Sequence, residues 1–418
     1  MPIEMHSVKS DFRELPGRGS VGERRWFSYL LGLWVVFIFM FIFLVAVHIP
    51  ARAQSYSDNV IYSFNGGSGG NEPVFSGVVQ DKAGNFYGTT YAGGAYKYGI
   101  VFKVDPSGNE TVLHSFGQGR DGRTPYGGLA IDPAGHLYGA TNQGGIWSKN
   151  CTAGCGIVYE IEPDGQEKLL HAFAGGADGA SPYGSLTRDA AGNLYGTTEM
   201  GGEFNYGTIF KIDRNGTETV LYSFPGQPGG QMPQAGVIRD AAGNLYGTTV
   251  AGGTYNYGSV FEFSASGEMT LLYSFVGGSD GESPDAPLFR TSNGNLYGTT
   301  FEGGNGLGTV FKVDTSGKET VVHPFGDFQN DGDYPESPLA SDSKGNLYGT
   351  TIQGGTGGSG VVYQISTQGV YSVVYDFATQ AEGGGPNGPL LAGSNGKFYG
   401  TTSSGGTANS GTVYELIP

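Results

Sequence analysis

The chain has 418 residues, with 38 Asp and Glu against 22 Lys and Arg, 77 Gly and two Cys. Residues 54–418 hold 34 acidic and 16 basic side chains, a net of −18, which repels a phosphate backbone and argues against nucleic acid as a partner. A charged fraction of 14% with this much Gly would suit disorder if unpatterned, but Val, Leu, Tyr and Phe recur at regular spacing, as in a packed β protein.

Arg24-Arg25 precedes an uncharged run from Trp26 to Val47, and Ala51-Arg52-Ala53 follows it. A basic region, an apolar core and a small-x-small site form a secretory signal peptide with cleavage between Ala53 and Gln54. The run is also long enough to span a bilayer, so an uncleaved signal-anchor is the rival reading. Five Lys and Arg before Trp26 keep the N-terminus cytoplasmic and send the rest outward in either case. Residues 1–53 are therefore a cytoplasmic stub plus signal peptide or signal-anchor helix, the one segment expected to touch membrane. Residues 54–418 are extracytoplasmic: secreted or periplasmic after cleavage, or held at the inner membrane.

From there one phrase returns seven times. Tyr87-Gly-Thr-Thr is followed by Tyr138-Gly-Ala-Thr, then by Tyr-Gly-Thr-Thr at Tyr195, Tyr246, Tyr297, Tyr348 and Tyr399. Five of the six intervals are 51 residues, and the one from Tyr138 to Tyr195 is 57. Such a period marks one supersecondary unit stacked on itself. What recurs in every unit is scaffold; specific chemistry belongs where the units differ.

Each unit reads as four strands, A to D. In the third they are Gly184-Ser-Leu-Thr-Arg-Asp189, Asn193-Leu-Tyr-Gly-Thr-Thr198, Gly207-Thr-Ile-Phe-Lys-Ile212 and Glu218-Thr-Val-Leu-Tyr-Ser-Phe224. All are rich in β-branched and aromatic residues and bounded by turn formers. Short A–B turns such as Asp81-Lys-Ala-Gly84, and C–D turns such as Asp105-Pro-Ser-Gly108, have the Asp, Pro and Gly positions of a capped type I turn. Turn chemistry explains these aspartates without a metal. The longer B–C and D–A loops share the opposite face, where function is expected.

Four strands cannot bury both sheet faces, but seven such sheets set radially can. Val60-Ile-Tyr-Ser-Phe64 is a D strand with no unit before it, and the chain ends on a C strand, Gly411-Thr-Val-Tyr-Glu-Leu416. Pairing the two completes the seventh sheet. The prediction is an all-β, seven-bladed β-propeller of four-stranded antiparallel blades, closed by the N-terminal strand; an open β-solenoid is the alternative. The consensus, Gly-Leu/Val-x-x-Asp-x-x-Gly-Asn-Leu-Tyr-Gly-Thr-Thr, then Gly-Gly and Gly-Thr-Val-Phe-Lys, resembles the GloVer-type tandem repeats of exported bacterial proteins. Its A-turn-B part is similar to NHL propeller repeats. The resemblance covers Tyr56 to Pro418 and implies export but no established activity, so it supplies no catalytic residues.

The candidate sites follow from asymmetry. The B–C loops of the first four units carry Tyr96 and Tyr98, Trp147, Phe204 and Tyr206, then Tyr255 and Tyr257, whereas those around Leu307, Ser359 and Asn409 have no aromatic residue. Aromatic planes beside polar groups can stack on sugars or grip a protein, and they can equally pack loops against neighbouring blades. Glu199, Glu203 and Glu302 follow B strands and are the weak candidates for acid–base catalysis on polysaccharide. Asp121, Asp178, Asp280 and Asp331 in the D–A loops read as turn residues, with Ca²⁺ as a secondary reading. Otherwise neither cofactor nor metal is expected: His114, His171 and His323 replace a D-strand Tyr and lie scattered round the ring, and His136 sits in an A–B turn. Cys151 and Cys155 should form a disulfide in the extra loop of the second unit. The expected function is an exported, monomeric binding or scaffold module for carbohydrate or protein at the cell envelope. The alternatives are an extracytoplasmic polysaccharide hydrolase or lyase, and a purely structural envelope protein.

Overall fold

The computed structural model describes residues 55–418 apart from 118, 119, 327, 329 and the side chain of Asn395. The apolar run 26–47 and the junction of Ala53 and Gln54 lie outside the described residues. Among those described, no helix is long and apolar enough to cross a membrane.

Residues 55–418 form a seven-bladed β-propeller. The third blade runs Thr187–Arg188, Leu194–Met200, Thr208–Ile212 and Glu218–Ser223 from the inner to the outer strand, each antiparallel to the next. The last blade is built from both ends of the domain. Ser57–Ser63 pairs along Thr412–Ile417, with Ser57 opposite Ile417 and Ser63 opposite Thr412. The ring is closed as the complementary ends require, and the solenoid alternative falls away.

The inner strand differs from its prediction. It pairs over only two residues, as in Val79–Gln80 and Ile238–Arg239, where five to seven were expected. Just upstream, each unit has a proline (Pro182 and Pro233, for instance), which lacks an N–H for the ladder, after a residue with positive φ such as Ser181 at 56° or Met232 at 58°. The chain therefore kinks. The piece before the kink pairs further along the second strand, as Ala180–Pro182 does with Met200 and Thr198.

The recurring phrase is scaffold at every letter. The Tyr195 hydroxyl donates to Asp189 Oδ2 at 3.1 Å, tying the strand to its own A–B turn, and Tyr87, Tyr246 and Tyr348 do likewise. At Gly196 the Phe210 ring lies so close that a Cβ would stand 2.6 Å from its Cζ. The Thr197 hydroxyl crosses to the next blade and donates to the carbonyl of Ala235 at 2.8 Å. The Thr198 hydroxyl bonds Met200 and Thr208 within its own blade.

Blades are glued by aromatic pairs. The fully buried Phe that ends each outer strand meets the third-strand aromatic of the next blade edge-on or tilted, at centroid distances from 5.0 Å for Phe64–Phe102 to 5.3 Å for Phe325–Tyr363. Phe116–Tyr159, Phe173–Phe210, Phe224–Phe261, Phe275–Phe311 and Phe377–Tyr414 complete the circuit. Burying each ring is worth about 2–3 kcal/mol, with roughly 1 kcal/mol more from pair geometry. A second seam is polar: the N–H of the residue just before each kink proline bonds back to the preceding blade's B–C loop, as Met232 does to the carbonyl of Tyr206 at 3.0 Å.

Candidate functional site

One cavity touches all seven blades, so it lies on the ring axis. Its volume is about 180 Å³, and its wall includes Phe75, Tyr126, Tyr183, Gln234, Asp285, Glu336 and Asn387. Successive blades contribute these seven residues from equivalent positions at the start of the inner strand. The position follows the kink proline directly in six units (Pro125 before Tyr126, Pro284 before Asp285) and one residue later in the first, where Val74 is inserted after Pro73. The kink turns this side chain off the sheet and toward the axis.

The ring is divided into two sectors. Phe75 stacks on Tyr126 at 4.9 Å and 22°, and Tyr126 meets Tyr183 at 4.0 Å, with Tyr91 edge-on to Tyr126 at 5.5 Å. Opposite them stand Gln234, Asp285, Glu336 and Asn387. Gln234 Nε2 donates to Glu199 Oε1 at 2.9 Å, and the Phe75 N–H donates to Asn387 Oδ1 at 3.3 Å, joining the sectors. Burial and the neighbouring Glu336 push the Asp285 carboxyl well above the usual range; burial alone pushes Glu336 up to about 7. Asp285 Oδ1 is sealed from solvent without a hydrogen-bond partner. Burial, together with the charge of Glu336, also raises the Tyr126 hydroxyl, as it would if the acids face the aromatic wall.

The sequence-predicted residues fall into separate places. Of the three glutamates, Glu199 alone reaches the ring, through Gln234; Glu203 is exposed, and Glu302 pairs by backbone with Glu282. The aromatic B–C residues stay on the rim. Tyr206 and Tyr257 cover Gly226 and Gly277 of their own D–A loops, and Tyr98 covers Gly117, yet each remains over a third exposed. Tyr96, Trp147, Phe204 and Tyr255 are more exposed still. Arg123 lies between two of them, 4.2 Å from the Tyr98 ring centre and 5.0 Å from that of Trp147. Cys151 and Cys155 are disulfide-bonded beside this cluster.

The D–A aspartates are engaged by internal donors. Asp121, Asp178 and Asp331 bind His114, His171 and His323 at 3.0–3.1 Å, and Asp280 accepts from Tyr273 at 2.7 Å. The histidines are spread round the ring as expected, but each meets carboxyls: His171, Asp178 and Glu218 bring ligand atoms within 4.8 Å of one another. Two of these groups come from successive outer strands, a convergence that spacing along the chain could not show.

Sequence reasoning missed the channel ring, although its signal was present: the position twelve residues before each recurring Tyr differs in kind from unit to unit, while its neighbours repeat.

No curated protein sequence matches the chain. Among solved structures, it is similar to virginiamycin B lyase from Staphylococcus aureus, at 14% identity and a TM-score of 0.59, covering 87% of this chain and 99% of that one. It is also similar to a domain described as extracellular, from a two-component system of B. thetaiotaomicron, at 14% identity and TM-score 0.56, covering 86% of this chain and 39% of that one. PorZ, a bacterial surface component of the type-IX secretion system of Porphyromonas gingivalis, matches at 16% identity and TM-score 0.52, covering 84% and 47%. At these identities the likeness establishes the propeller fold alone. The model of the Gloeobacter/Verrucomicrobia repeat matches residues 49–241 and 232–418, so the chain belongs to that repeat family.

Proposed function

We propose that the chain is an exported binding module that receives a carbohydrate or a protein segment at the mouth of its channel. The supporting observation is the divided ring: three contiguous aromatic positions facing four contiguous polar ones, on a scaffold that otherwise repeats. Stacking surface on one side and hydrogen-bonding groups on the other are what a small, partly polar ligand requires. The aromatic B–C loops of the first three units belong to the same blades as Phe75, Tyr126 and Tyr183, and that of the fourth to the blade of Gln234; they serve as an outer lip. Residence outside the cytoplasm rests on the leader segment and agrees with the extracellular and surface relatives.

The test is a glycan and peptide array probed with the native propeller, with Tyr126→Ala/Tyr183→Ala, and with Trp147→Ala/Tyr206→Ala. Loss in the first variant pair with a smaller loss in the second is expected. Absence of any ligand, or binding indifferent to both pairs, would leave the structural-protein reading in its place.

A second reading is favoured by the neighbouring Asp285 and Glu336, since a carboxyl raised to about 7 can act as an acid near neutral pH. Reducing-sugar release from mixed polysaccharides that disappears in Glu336→Gln would support a hydrolase, and an assay showing no release would retire it.

A further inference from the structure

The polar sector of the channel holds acids without a cation. None of the seven ring positions is Lys or Arg. The ion pairs among the described residues all lie elsewhere, on the A–B turns, the outer strands and the seams. Asp285 and Glu336 both line the cavity from adjacent blades with no opposite charge to share, and Asp285 Oδ1 is buried without a hydrogen-bond partner. An orphaned carboxyl oxygen of this kind is costly unless something completes it. The facing groups are Tyr126 and Tyr183 across the channel, with Glu199 beside Gln234 on the neighbouring blade; none is positively charged.

We propose that the channel mouth binds a protonated primary amine, which donates to Asp285 and Glu336 while its carbon frame rests against Phe75, Tyr126 and Tyr183. This rests on the binding-module reading and deepens it by naming the ligand chemistry. An ammonium offers three donors, enough for the Asp285 and Glu336 carboxyls together, and the aromatic wall attracts a cation that a neutral diol would not exploit. A small divalent ion is the less suited occupant: among the described residues the one convergent metal-type trio is His171, Asp178 and Glu218, far along the chain from this pair. Amine chemistry is common to amino sugars and polyamines, and 180 Å³ admits a single small head group of either.

Both carboxyls are held toward their protonated forms by burial, so an arriving ammonium must displace a proton. The amine should therefore bind more tightly as pH rises from 5.5 to 7, by roughly tenfold per unit for one proton released.

Isothermal titration calorimetry of the intact propeller would use spermidine, a glucosamine tetramer, its fully N-acetylated counterpart and calcium chloride. Binding of spermidine or the glucosamine tetramer, at least tenfold tighter than the acetylated sugar and accompanied by proton uptake into the buffer, is the expected result. Which of the two binds identifies the source of the amine. Asp285→Asn and Glu336→Gln should each weaken it at least tenfold and flatten the pH dependence. If either variant fails to fold, the native pH profile and the buffer-dependent heat decide alone. Equal affinity for the free and acetylated sugars, a flat profile, or binding of calcium but not amine would overturn the inference. Neutral-sugar binding lost in Tyr126→Ala/Tyr183→Ala would still leave the binding-module reading standing.

Discussion

The carbonyl of Ser410 accepts a hydrogen bond from the backbone N–H of Glu72 at 3.0 Å, across 338 positions of sequence. The same bond links Tyr98 to Thr124, Cys155 to Ser181, Tyr206 to Met232, Tyr257 to Ser283, Leu307 to Tyr334 and Ser359 to Gly385. The seam between the two ends of the domain is thus built like the other six. No blade junction is a weak point by design, and closure adds the contacts of one full interface.

That equality makes Phe64 a test of closure. It is fully buried, packs edge-on against Phe102 at 5.0 Å, and belongs to the strand that seals the ring. Phe64→Ala should cost about 3–5 kcal/mol, as a core Phe deletion does. Denaturant unfolding would measure it. Phe224→Ala, at an interior junction, should cost the same within about 1 kcal/mol; a far smaller loss at Phe64 would mean the seal is loose.

Gly207 and Gly267 separate close approach from backbone strain. Both have left-handed φ, 98° and 90°, but a Cβ at Gly207 would stand 2.4 Å from the Thr198 carbonyl oxygen of its own blade and 2.6 Å from Pro233 Cδ of the next, while Gly267 has open space. Gly267→Ala should cost about 1 kcal/mol. Gly207→Ala should cost more by about 1–3 kcal/mol, because the Thr198 carbonyl and the kink proline of the next blade both have to give way. Equal melting temperatures for the two variants would contradict the close approach at this glycine.

The outer seams predict a stability that falls as pH rises. Burial first, then the charge of Asp178, raises Glu218 to about 7; burial, then Asp280, raises Glu319 to about 8. A carboxyl with a raised folded-state value favours folding below its unfolded value of 4.5 and loses that contribution as pH climbs through 7 to 8. With solvent screening of these half-buried groups, the loss is about 1–2 kcal/mol each. Melting temperatures across pH 5–9 should decline, and Glu319→Gln should flatten part of the slope. A curve rising with pH would contradict the assignment.

Trp147 is the sole tryptophan after residue 53 and is half-exposed beside Arg123, which makes emission a direct reporter of the aromatic lip. Arg123→Ala should red-shift it by removing the stacked guanidinium. A ligand that extends from the channel over the B–C loops should blue-shift it, and one confined to the channel should leave it unchanged. No response to Arg123→Ala would mean that the guanidinium does not shield the indole.

The sequence by itself determined the period, the blade count, the capped turns and the complementary ends, because these are local patterns repeated in register. Asp189 and Gly192 close their turn through neighbours three residues apart, and Tyr195 reaches back only six. The tertiary structure alone decided what faces what. Asp285 and Glu336 are 51 residues apart and adjacent only because consecutive blades meet at the axis. Likewise, His171 and Glu218 converge only because outer strands lie side by side. Ring closure turns an equal spacing along the chain into proximity, and a variable position that looks like noise in a repeat becomes the wall of a channel.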